Sequence, residues 1–97
     1  MVNKYFVYEV YEKTDLYNSH FSCYVIFDAF QNKIIQYIGG VNQRAARTNC
    51  SNFIDLLSLH NENEPIVIWR NWPLAMWGRE INDKAILERI HGREIDM

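Results

Sequence analysis

The chain has 97 residues, 48% of them hydrophobic and 23% charged, with a net charge of −2. That length fits one domain that can bury a core without disulfides or metal, and the composition excludes disorder. A slightly acidic balance gives no general attraction to phosphate backbones, so nucleic acid is a disfavoured partner, and no apolar run reaches membrane-spanning length. Six Tyr, five Phe and three Trp exceed what a core this small encloses, which points to aromatic surface for a protein partner or self-association. Cys23 and Cys50 fit neither a disulfide framework nor a zinc motif and read as reduced, buried thiols. Met1-Val2-Asn3-Lys4-Tyr5 does not lead into a signal-peptide core, so a cytoplasmic location is expected.

Residues 4–13 are dominated by aromatic and β-branched side chains and predict a strand. Tyr5, Val7 and Tyr11 fall on one face, and Phe6, Tyr8 and Val10 on the other, which places this strand inside the sheet. Residues 14–19 are polar enough for a turn. A second strand is expected over His20–Phe30, with Phe21, Cys23, Val25, Phe27 and Ala29 on one side. Gln31-Asn32 reverses the chain, and a third strand runs over Lys33–Gly40. Three strands joined by short loops form an antiparallel meander.

Val41–Thr48 is polar and reads as a loop. Thr48, Asn49 or Ser51 then caps a helix whose Phe53, Ile54, Leu56, Leu57 and Leu59 form one apolar stripe. Asn61–Pro65 breaks that helix, and Ile66-Val67-Ile68-Trp69 predicts a short buried strand. Asn71, Pro73 and Gly78 are the expected cap, start and stop of a helical turn. A last helix is expected over Asn82–His91, with Ala85, Ile86 and Ile90 inward and Gly92 as its stop. The expectation is one mixed α/β domain over residues 1–97, in the order β-β-β-α-β-α, with the fourth strand parallel to the first.

The stretch Cys23–Asp28, followed by Gln31-Asn32-Lys33 and Gly39-Gly40, resembles the second and third strands of the ribonuclease H-like family. Thr48-Asn49 before the first helix resembles that family's Thr-Asn signature, and Ile66–Asn71 resembles its fourth strand. The resemblance implies that fold over about residues 4–90. It also implies carboxylates that converge to hold two Mg²⁺ ions for phosphodiester cleavage. On the first strand Glu9, Glu12 or Asp15 could serve. On the first helix the expected Glu position falls near Phe53, and Asp55 lies two residues on, about 200° around the helix. The fourth strand ends in Asn71, whose amide cannot replace a bridging carboxylate. The chain also ends before the family's last strand and acid-bearing helix. The resemblance therefore implies a shortened scaffold with its metal site lost, and no cofactor is expected.

His20, His60 and His91 are scattered, and a helix-end position accounts for His60 and His91. Cys50, near the expected helix start, reads as a small apolar residue under the helix rather than an activated thiol. Arg44, Arg47 and Asn49 combine guanidinium groups with an amide at the expected helix N-terminus and form the candidate anion or nucleic-acid site. Arg70, Trp72, Met76, Trp77 and Arg79 have the composition of an interface hot spot and form the candidate partner-binding site. The expected function is a non-catalytic protein-interaction module, an inhibitor or adaptor; the alternative is nucleic-acid binding or Mg²⁺-dependent cleavage on the same scaffold.

Overall fold

In a computed structural model that describes residues 4–60, 65–70 and 72–95, a single mixed sheet is covered by one helix on each face. The strands β1 (Lys4–Lys13), β2 (Ser19–Asp28) and β3 (Lys33–Ile38) form the expected antiparallel meander. Helix α1 (Gln43–Leu59) leads to β4 (Ile66–Trp69), which runs parallel to β1. The path along the sheet is β3-β2-β1-β4, and β5 (Leu74–Met76) also pairs with β1, in parallel. A 3₁₀ turn over Gly78–Glu80 and helix α2 (Asp83–Ile95) complete the chain. The fold class and the parallel β1–β4 pair are as the sequence predicts.

β1 is buried on both faces, because its two sets of alternating side chains feed two separate cores. Phe6, Tyr8 and Val10 join Val25, Phe27, Ile34, Leu74 and Met76 beneath Ile86 and Ile90 of α2. Tyr5 and Val7 join Tyr24, Ile26 and Ile38 beneath Ala46 and Cys50 of α1. Val10 pairs with Cys23 but Tyr11 pairs with Phe21, which leaves Ser22 as an extra residue in β2. The bulge moves Phe21 onto the α1 face, where its ring lies 5.1 Å from that of Tyr24. Phe21 therefore does not share a face with Cys23, Val25 and Phe27, as strict alternation predicts. A second extra residue, Ile35, is inserted opposite the Ile26–Phe27 step.

Several boundaries differ from expectation. β2 and β3 end at Asp28 and Ile38, short of Phe30 and Gly40. α1 starts at Gln43, not after Thr48, because the side chain of Asn42 accepts a 2.8 Å hydrogen bond from the Ala45 amide and caps the helix. Gly40 is required just before this cap, since a Cβ there would come within 2.7 Å of the Ala46 nitrogen. Residues 74–76 are a strand rather than a helical turn, and Asn82 caps α2 by accepting from the Ala85 amide at 3.0 Å. Gly92 lies inside α2, which continues to Ile95. The expected cap at Asn71 and most of the helix-breaking stretch, residues 61–64, lie outside the described residues.

The β2–β3 turn is fastened by Asp28, the one charged side chain in the described core. Its Oδ1 accepts from the amides of Phe30 and Gln31 at 2.9 and 3.0 Å. Asn32 supplies the left-handed residue of this turn (φ 57°), and its side-chain oxygen lies 2.8 Å from His91 Nε2. Asp28→Ala leaves two amides without that acceptor and is expected to lower stability by about 1–3 kcal/mol in chemical denaturation, with Asp28→Asn losing less.

Candidate functional site

The Trp-rich segment divides between interior and surface. Trp69 meets Tyr24 edge-on at 5.6 Å, and the Arg47 guanidinium lies 4.5 Å from the centroid of its ring. Arg70 is stacked between Phe6 and Trp72, its guanidinium carbon 4.4 and 4.6 Å from the two ring centroids. Trp72 is half-buried and packs on Tyr8, with centroids 6.4 Å apart. Met76 is fully buried, because strand alternation points Leu74 and Met76 together into the α2 core. Met76 therefore belongs to the core and not to a contact surface. Trp77 and Arg79 remain at the periphery: Trp77 is half-buried with the Lys13 ammonium 5.7 Å from its ring centroid, and Arg79 is exposed.

The α1 patch lies in the first two turns of a helix rather than in a loop. Arg44 and Arg47 are exposed, and Asn49 donates through Nδ2 to the Gly39 carbonyl at 3.0 Å. That bond makes Asn49 a strap between helix and strand. The early helix start also places Cys50 well inside α1, fully buried. Burial pushes its thiol up to about 11, against a smaller downward pull from Arg47.

The candidate acids do not gather. Glu9 lies on the α1 face and accepts from the Tyr11 hydroxyl at 3.2 Å, and that hydroxyl accepts in turn from Gln43 Nε2 at 3.4 Å. Burial is the main reason the Tyr11 phenol is raised, with Gln43 opposing it and Glu9 adding to it. Glu12 pairs in register with Met76, and its carboxylate lies 3.4 Å from His20 directly across β2. Asp15 is used in the β1–β2 turn, Asp55 is exposed on α1, and Asn71 lies outside the described residues. Among the described residues no three His, Cys, Asp or Glu side chains are grouped to hold a metal ion. This donor set does not fit a two-Mg²⁺ centre.

The surface that sequence reasoning misses is the β1–β2 tip. Asp15 Oδ1 accepts from the amides of Tyr17 and Asn18 at 2.8 and 2.9 Å, and Asn18 Nδ2 reaches Oδ2 at 2.9 Å. These bonds, Asn18's side chain foremost, hold the Asp15 carboxyl below its usual range. The Thr14 amide and hydroxyl both donate to the Asn18 carbonyl, at 3.0 and 3.2 Å. Between these tied residues stand Leu16 and Tyr17, 78% and 92% exposed. A cavity of about 230 Å³ opens between Lys13, Tyr17 and Ala75, and one of about 440 Å³ between Lys13, Pro73, Ala75, Arg89 and Gly92. The two share Lys13 and Ala75, so they flank one another at the outer edge of β5. The available signal was a Leu-Tyr pair inside an otherwise polar turn.

Cys50 gives the core beneath α1 a measurable pH signature. A thiol raised in the folded state favours folding below the unfolded value, about 8.5. That contribution is lost as pH rises toward about 11, because unfolding frees the thiol to ionise. Stability is expected to fall over this window in the wild type and to fall less in Cys50→Ala, read from denaturation midpoints at several pH values. No helix among the described residues is long and apolar enough to cross a membrane. The chain matches no protein-family model, and no curated protein or solved structure shows significant similarity to it.

Proposed function

We propose that the protein is a non-catalytic protein-interaction module, an adaptor or inhibitor, that meets its partner through the β1–β2 tip and the adjoining Lys13 and Trp77. The observation that carries this reading is the tip itself. A turn tied by Asp15, Thr14 and Asn18 holds Leu16 and Tyr17 in solvent, where they bury almost nothing of their own fold. Exposing two large apolar side chains gives up the gain of burying them, about 1.5–3 kcal/mol for a residue of Leu size. A pre-ordered turn also lowers the entropy cost of docking. Trp77 continues the same surface through Lys13, whereas Met76 lies in the core beneath and Trp72 packs farther back along β1, on Tyr8.

The scaffold in this reading is a shortened ribonuclease H-like domain, supported by the β3-β2-β1-β4 order with β4 parallel to β1. Cytoplasmic placement belongs to it too, supported by two free cysteines packed into different cores. One observation favours nucleic acid as a second reading: Arg47 stacks on Trp69, with Arg44 one turn away on the same helix. Binding of labelled RNA–DNA hybrid that falls steeply with salt, and disappears in Arg44→Ala/Arg47→Ala, would favour that reading.

For the leading reading, a photo-crosslinking residue is placed at position 17 and, as a control, at position 55, and the adducts are compared. Adducts with a discrete protein are expected from position 17 alone. Leu16→Ser/Tyr17→Ser is expected to weaken capture of that protein about 30-fold or more while leaving the melting temperature unchanged. Capture that survives the double substitution sinks the reading.

A further inference from the structure

We infer that the tip's partner is a second copy of this chain: Leu16 and Tyr17 of each protomer dock into the trough beside β5 of the other. This rests on the proposal that the tip is an interaction surface and gives that surface an occupant.

Three observations point to self-pairing. The first is shape. A projecting apolar knob and a concave trough lie side by side on one molecule and share Lys13 and Ala75 at their rim. A two-fold axis through that shared rim sends each knob into the other copy's trough, as an isologous interface requires.

The second is the edge itself. β5 pairs with β1 on one side, and no other described strand pairs with it. Two such edges can pair antiparallel about Ala75, a side chain small enough for close approach. In that arrangement each tip, which lies beyond the Met76 end of its own β5, falls toward the Pro73 end of its partner's. The larger trough opens there, beside Pro73 and Gly92.

The third is charge. The rim carries Lys13 and Arg89 together with Asp15 and Glu88. A surface of one sign would repel its own copy, whereas this one carries both signs, so a two-fold rotation can bring Lys13 and Asp15 of one copy against Glu88 and Arg89 of the other. Gly92 sharpens the trough: no atom lies within 4 Å of where its Cβ would stand, so a glycine inside a helix leaves the floor open.

The test is the mass of the full chain by light scattering and sedimentation, from micromolar to near-millimolar concentration. The wild type is expected to approach twice 11.6 kDa. Tyr17→Asp removes the knob and Gly92→Phe fills the trough at a helical position with room for a side chain. Each is expected to stay monomeric with unchanged far-ultraviolet circular dichroism. Mixing the two variants is the decisive arm, because the mixed pair regains one intact knob-and-trough contact that neither variant can make with itself. The mixture is expected to associate at least tenfold more tightly than either variant alone. A wild type that stays at 11.6 kDa throughout, or a mixture no tighter than its components, overturns the inference. If the wild type is monomeric and position 17 still crosslinks to a different protein, self-pairing fails while the protein-interaction reading stands; if neither occurs, both fail.

Discussion

β1 has to satisfy two apolar faces and two hydrogen-bonding edges at once, and the remaining elements are arranged to meet that demand. Its consecutive residues Tyr5 to Tyr8 are all buried, which a strand facing water on either side could not sustain. Each face needs a cover, so the chain places α1 over one and α2 over the other. One edge is filled by β2 along its whole length. The other is filled in two pieces, β4 against residues 4–7 and β5 against residues 10–12. Tyr8 and Glu9 fall in the interval between them, and there the Glu9–Tyr11–Gln43 chain of hydrogen bonds lies.

The two extra residues, Ser22 and Ile35, change which side chains their strands present to each of the two cores. Were Ser22 held in regular alternation instead of bulged, Phe21 would turn toward α2 and leave Tyr24 and Tyr11 without their aromatic neighbour. With it, Tyr11, Phe21, Tyr24 and Trp69 make a continuous run of ring contacts across three strands. The Tyr24 hydroxyl, buried in that run, has no hydrogen-bond partner among the described residues, which is a cost to the fold. At the opposite edge, Tyr37 donates to the Asp83 carboxylate and ties β3 to the start of α2. Burial first, and Asp83 second, raise that phenol well above its ordinary range.

The meander and the parallel fourth strand were legible because they rest on runs of β-branched and aromatic residues with short polar breaks. The start of α1 was not, because residues 43–49 carry no apolar stripe; the helix there depends on the Asn42 cap and on Ala45 and Ala46. Pro73 and Gly78 imitate helix signals, yet Leu74–Met76 lie against β1, and pairing with a buried strand decides a three-residue segment that local preference cannot. Gly92 reads as a stop, but a glycine costs a helix only about 1 kcal/mol, and Ile86 and Ile90 anchor α2 firmly enough to carry it through. Of the candidate site, the Trp-rich segment was visible as unusual but not as divided, since composition cannot say that Met76 and Trp72 turn inward while Trp77 does not. The tip was hidden by its own setting, because a polar turn gives no cue that its two apolar residues stay uncovered.

The split second edge of β1 also has a meaning in time. Residues 4–38 can pair as soon as they are made, because their connections are only a few residues long. The partners of the other edge, β4 and β5, lie beyond a 17-residue helix. A ribosome therefore releases a meander whose first strand, buried on both faces once folded, is open along one side until residue 76 has emerged. A nascent chain in that condition exposes an unpaired edge rich in Tyr, Phe and Val, the kind of surface that chaperones bind and that sticks to its neighbours. The two short strands that finish the sheet are thus also what closes its period of greatest vulnerability.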